Sequence, residues 1–240
     1  MLGRGSSLDI MAFYNHKISG LDFDLKTQTT EQGRRYLTPS GDAYPSVTTI
    51  LSEYNKKAIQ AWRQRVGAEE ANKISRVAAN RGTKVHSLCE NYLLNKLTEL
   101  KEQSLMPDVK QMFSSIKPIM DERISTVYAL EQALYSDKMK LAGRVDCIAK
   151  WDGATSIIDF KTSSKPKKEE WIQNYFMQCT AYALMLEELA EASGDKIKIN
   201  EVVVLIAVYD SEPQVFVREK DEFIEPLLGY IDEYWSKLNG

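Results

Sequence analysis

The stretch LAGRVDCIAKWDGATSIIDFKTS, residues 141–163, reads as two strands, 140–151 and 155–161, joined by a hairpin turn at Trp151-Asp152-Gly153. An Asp-Gly pair flanked by β-branched and apolar residues is a strong short-range hairpin signal. Asp146 and Asp159 are equally distant from that turn, so pairing sets them nearly opposite each other. Lys161, two residues past Asp159, shares its face. Both aspartates sit in apolar β sequence, where an uncompensated charge is costly. A buried ion pair between Lys161 and one aspartate is the plain reading, but it leaves the second carboxylate unpaired. A divalent cation relieves that cost, and hard oxygen donors suit Mg2+ or Mn2+. A lysine beside such an ion steadies charge on a phosphate or orients an attacking water. That is hydrolytic phosphodiester chemistry.

Working outward, residues 124–135 form a strand before the hairpin, and a long helix runs from about Lys168 to Ala190 after it. The Val-Val-Val-Leu-Ile-Ala-Val run within 201–210 predicts a strand buried on both faces. An edge strand, 214–218, and an amphipathic helix, 221–238, follow. Upstream, residues 34–51 read as two short strands around Pro39-Ser40-Gly41-Asp42 and end in β-branched residues. Residues 55–96 read as helices broken near Gly67 and again at Asn80-Arg81-Gly82, with Thr83 as a cap; 107–122 is a further helix. The expectation is an α+β fold with a mixed β-sheet core flanked by helices. A segment 1–33 precedes one domain, 34–240, with a helical subregion at 55–122 and a sheet core at 123–218. Met11 is a second candidate start, so residues 1–10 carry no fold argument.

Composition narrows the function classes. The 240 residues are 43% hydrophobic and 27% charged, as in ordinary globular proteins, and no apolar run reaches membrane-span length. Cys89, Cys147 and Cys179 are widely spaced with no C-x-x-C, which excludes a disulfide framework and four-cysteine zinc or iron–sulfur sites. No signal-peptide or transit pattern is present, and the expectation is a cytoplasmic protein of a bacterium or a phage-infected cell. The net charge of -3 conceals a basic stretch: Lys56 to Lys84 holds eight basic residues, Arg63, Arg65 and Arg81 among them, against Glu69 and Glu70. Such a stretch is either a solvated helix face or a surface for a polyanion. Trp62 within it is either core or a base-stacking platform.

His86, in Gly82-Thr83-Lys84-Val85-His86, offers a nitrogen ligand that Mn2+ tolerates. Taken alone, one histidine is more often a satisfied core residue. The order G-x-x-x-H, G-R-V-D, D-F-K-T and then Gln178-x-x-x-Tyr182 resembles the RecB-type branch of the PD-(D/E)XK nucleases. Tyr44-Pro-Ser-Val-Thr-Thr-Ile-Leu51, the Trp62-Arg63-Gln64-Arg65-Val66 helix and Lys165-Pro166-Lys167 bring it nearer to the mitochondrial genome maintenance exonuclease family and its phage and bacterial relatives. The resemblance covers roughly residues 34–190 and implies a restriction-endonuclease-like core.

By that resemblance His86, Asp146 and Asp159 are metal ligands, the Phe160 carbonyl completes the shell, and Lys161 is the catalytic lysine. Gln178 and Tyr182 position DNA or the lysine, or else pack the helix on the sheet. Ser46, Thr48 and Thr49 match a segment that can take a phosphate, though they also read as ordinary strand residues. Glu131 and Glu90 are further acidic residues that are not expected to be direct ligands. The resemblance implies a Mg2+- or Mn2+-dependent DNA exonuclease acting on single strands with a free end under a helical arch. DNA is the expected partner, with a recombination or replication protein as a further one and no membrane. A structure-specific endonuclease and a catalytically silent DNA-binding scaffold are the alternatives.

Overall fold

The computed structural model describes residues 13–18, 21–97 and 105–239; Met11 and residues 1–10 lie outside them. Six strands form the central sheet: β1 (Tyr14–Asn15), β5 (Ile124–Ser136), β6 (Leu141–Trp151), β7 (Ala154–Ser163), β8 (Glu201–Val208) and β9 (Gln214–Glu219), in that spatial order. β1 and β5 run parallel, as do β7 and β8, and the other neighbours are antiparallel. Asp152 and Gly153 both take positive φ, 47° and 87°, as the two-residue turn requires. β8 is buried along nearly its whole length, because a strand between two neighbours in a sheet covered on both faces has no solvent side. The fold is α+β, with helices on both faces of a mixed sheet.

One face carries α1 (Val47–Leu51), α5 (Gln173–Ala192) and α6 (Ile224–Asn239), whose apolar residues share a core with Val145, Ile148, Ile157 and Val204. The other face carries α3 (Ala68–Leu93) and α4 (Pro107–Arg123), packed on Cys147, Ile158, Val203 and Leu205. A small sheet of β2 (Lys26–Thr30), β3 (Gly33–Leu37) and β4 (Ala43–Pro45) lies beside them. α3, about 39 Å long at 1.5 Å per residue, is anchored by Val85, Leu88, Cys89, Tyr92 and Leu93 in its second half; in its first half only Ala71 is buried. α2 (Lys56–Val66) has no buried residue. Together α2 and the first half of α3 form a basic helical arm with no core beneath most of it.

Several local expectations change. Residues 47–51 are a helix and not a strand end: the Ser46 hydroxyl accepts the Thr49 N–H at 3.0 Å, a local bond that starts a helix at Val47. The break near Gly67 (φ 87°) is present, but α3 runs unbroken through Asn80-Arg81-Gly82, and Thr83 Oγ1 donates back to the Ala79 carbonyl instead of capping. Trp62 is half-buried on α2 and not part of the core. The helix expected from Lys168 begins at Gln173, after a 3-10 turn at Glu169–Trp171. β1 and β2 carried too few apolar residues to be anticipated.

Candidate active site

The β6–β7 ladder ends at the Cys147–Ile158 pair, and Asp146 and Asp159 occupy the next rung, where the strands part. The Asp146 side chain fills the gap: its Oδ2 accepts the Phe160 N–H at 2.9 Å. On the other side of β6, Glu131 lies opposite Asp146, on the rung between the Leu130–Cys147 and Gln132–Val145 pairs. Three carboxylates therefore form a row across β5, β6 and β7. Helices from both faces reach that row. His86, on α3, places Nδ1 3.4 Å from Asp146 Oδ2. Gln178, on α5, donates to Asp159 Oδ1 at 3.1 Å and to the Tyr182 hydroxyl at 3.5 Å.

Asp159 is 2% exposed. Its Oδ2 forms a close ion pair with Lys161 Nζ. Burial pushes the Asp159 carboxyl above the usual range, and the neighbouring Lys161 ammonium works against that. For Lys161, burial works to lower the pKa, but the charges of Asp159 and Asp146 outweigh it and hold the ammonium protonated. Lys161 also lies over the Tyr175 ring, 5.0 Å from its centroid. Glu131 is pushed up to about 7, by burial first and then by the charges of Asp146 and Glu90. Its backbone takes a φ of 49°, uncommon outside glycine, and Arg144 Nη1 donates to its carbonyl.

His86, Glu131 and Asp146 each offer one ligand atom within 4.8 Å of the others. One imidazole nitrogen and a pair of carboxylates, with the buried Asp159 carboxylate on the next strand, suit a hard divalent cation. These groups, except the buried Asp159, line a cleft of about 950 Å³. Tyr182 is buried against β6, so close that a Cβ on Gly143 would stand 2.6 Å from its ring. The three thiols are buried and their pKa values raised by that burial, so they are not nucleophiles here.

The chain matches the PD-(D/E)XK nuclease superfamily over residues 53–239. It belongs to that family. Curated relatives of this PD-(D/E)XK chain include mitochondrial genome maintenance exonuclease 1 of Xenopus tropicalis, 25% identical over 201 residues, covering 80% of this chain and 56% of the relative. The Homo sapiens protein of that name is 26% identical over 204 residues, covering 80% and 55%. The chain thus spans about half the length of the curated relatives it matches. A solved chain from Eubacterium rectale aligns over 67% of this chain and 65% of its own, at 12% identity and a TM-score of 0.42, too slight a likeness to bear on function.

The remaining sequence-level residues are dispersed around this PD-(D/E)XK site. Thr48 is exposed on the cleft wall; Ser46 also lines it, with its hydroxyl engaged as the α1 cap. Thr49 faces away, against Gly33. Arg63 donates to Asn72 at 2.7 Å, tying α2 to α3, and Arg81 stacks on Tyr209 at 5.8 Å. Arg63, Arg65 and Arg81 do not line the cleft, whose basic groups are Lys26, Arg34, Arg144 and Lys161. Glu131, not expected from the sequence to be a direct ligand, sits with His86 and Asp146, and Lys26, Arg34, Asn174 and Tyr175, which the sequence did not single out, line the cleft. Glu131 carries a usable signal: it and Asp146 are equidistant from the Asp137–Lys140 turn. Among the described residues no helix is long and apolar enough to cross a membrane.

Proposed function

We propose that this PD-(D/E)XK chain is a Mg2+- or Mn2+-dependent deoxyribonuclease that degrades single-stranded DNA from a free end. The observation that carries the reading is the cross-strand row Glu131, Asp146, Asp159 with Lys161 beside it, of which all but the buried Asp159 line a cleft. The chemistry a divalent ion supplies there is Lewis-acid activation of water and neutralisation of phosphate charge. His86, Glu131, Asp146 and Asp159 would hold it, with the Phe160 carbonyl completing the shell. The chain's own groups do the rest. The Phe160 N–H fixes the Asp146 carboxylate, and Gln178 fixes Asp159. Lys161, protonated, meets the charge that develops on the phosphate oxygens during in-line attack. Lys26, Arg34 and Arg144 favour a polyanion in the cleft, and the basic arm with half-buried Trp62 extends the attraction along the strand.

Attack from a free end is supported by the names of the curated relatives, which are exonucleases; the single-strand preference is part of the same proposal. A role in replication, recombination or repair, in a bacterial or phage setting, goes with this reading. The test compares linear with covalently closed circular single-stranded DNA in Mn2+ or Mg2+. Loss of the linear substrate alone supports end-dependent attack. Cutting of the circle makes the chain an endonuclease, and intact DNA in both lanes makes it a silent scaffold.

A further inference from the structure

The chain has four tryptophans. Trp151 is buried and Trp62 and Trp235 are half-buried, but Trp171 is 52% exposed. It stands on the loop that links Lys161 at the end of β7 to α5, and that loop is built rather than slack. Ser163 Oγ donates to the Lys165 carbonyl at 2.6 Å; the Lys167 N–H donates to Gln214 Oε1 at 2.7 Å, and Gln214 Nε2 returns a bond to the Lys167 carbonyl at 2.9 Å. Glu169 is clamped by both arms of the Arg218 guanidinium. Tyr54, next to the cleft residue Asn55, donates its hydroxyl to the Glu170 carbonyl at 3.2 Å. Trp171 follows directly, three residues before Asn174 on the cleft wall. So much fixed backbone presents one large apolar ring to water, and Lys168 Nζ lies 5.3 Å from its centroid. Exposed Lys165 and half-buried Lys167 add positive charge to the loop, and the exposed Glu170 carboxylate lies 3.9 Å from Lys168 Nζ.

We propose that Trp171 is a base-stacking platform on this loop, and that with Lys165 and Lys168 it holds a segment of bound single-stranded DNA. Aromatic faces stack any base, and adjacent lysines meet the phosphates, so such a contact adds affinity without sequence preference. The inference rests on the DNA reading and adds to it a contact apart from the helical arm.

The test is fluorescence anisotropy in EDTA with labelled (dT)12 and with an abasic deoxyribose-phosphate oligomer of the same length. Trp171→Ala is expected to weaken (dT)12 about tenfold and to leave the abasic oligomer within about twofold of the wild type. Trp171→Phe, which keeps a ring, retains most of the affinity, and quenching of wild-type tryptophan emission by (dT)12 shrinks in that variant. Equal (dT)12 affinity in wild type and Trp171→Ala overturns the platform alone and leaves the nuclease reading standing. An equal loss on both oligomers also overturns it, since stacking cannot act on a strand without bases. A wild type that binds neither oligomer overturns the platform together with the DNA reading.

Discussion

Glu131 and Asp146 face each other across β5 and β6, and the Glu131 carboxyl is pushed up to about 7 by burial and by the charges of Asp146 and Glu90. Two carboxylates this close with no cation between them repel, so the metal-free fold stores an unfavourable interaction that a divalent ion removes. The sign follows from linkage. A carboxyl whose folded pKa lies above its unfolded value stabilises the fold fully below the unfolded value and loses that contribution as pH rises through the folded one. For Glu131 the window runs from about 4.5 to about 7. In EDTA, Glu131→Gln should match the wild type near pH 4.5 and become more stable than it by pH 8. After allowance for partial exposure, the gap is about 1–2 kcal/mol. Urea unfolding at the two pH values measures it, and a gap that does not change with pH counts against the row as drawn.

Gly143 exists to let Tyr182 in. A Cβ there would meet Tyr182 Cε1 at 2.6 Å, and both atoms belong to stiff, buried elements. Gly143→Ala should cost about 1–3 kcal/mol, seen as a lower urea midpoint. The double variant Gly143→Ala, Tyr182→Leu should cost less than the sum of the two single changes, since both act on one contact. Strict additivity would mean the two residues do not touch.

Gln178 orients Asp159 through the 3.1 Å bond to Oδ1. Partners of metal ligands typically contribute about 10–100-fold in affinity. Gln178→Ala should therefore weaken Mn2+ binding by at least about tenfold in calorimetry while leaving the fold intact by circular dichroism. An unchanged Mn2+ affinity would leave Gln178 as packing only.

The arm of α2 and early α3 should contribute charge and little stability, because most of it covers no core. Reversing Arg65 and Lys73 to Glu should lower the slope of log affinity for single-stranded DNA against log salt by about 1–1.5, at about 0.7 per lost phosphate contact. The melting temperature should shift by no more than a degree or two. A slope equal to that of the wild type would place the strand elsewhere.

Much of this site can be read from residues alone. Symmetry about Asp152-Gly153 pairs Asp146 with Asp159, and two-residue alternation adds Lys161. The same symmetry about the Asp137–Lys140 turn places Glu131 in the row, yet a single glutamate between Leu130 and Gln132 looks like an ordinary half-exposed strand charge, and its positive φ has no sequence signature. Ser46-Val-Thr-Thr49 misleads because β-branched residues favour strands on average, while one serine hydroxyl on the Thr49 N–H decides for a helix. Asn80-Arg81-Gly82 looks like a stop, but an interior glycine costs only about 1 kcal/mol, and the packed residues from Val85 to Leu93 hold α3 together. The cleft's basic groups from β2 and β3 depend on how a small sheet docks, which no local pattern encodes.

In the proposed mechanism the carboxylate row holds the metal and Lys161 acts beside it. Single-turnover cleavage of a linear single-stranded oligonucleotide in Mn2+, wild type against Lys161→Ala, with Mn2+ binding measured by calorimetry on the same preparations, tests it most directly. Lys161→Ala should lose at least about a thousandfold in rate, corresponding to about 4 kcal/mol of transition-state stabilisation, with Mn2+ affinity within a few-fold of the wild type. Cleavage by Lys161→Ala at the wild-type rate would contradict it.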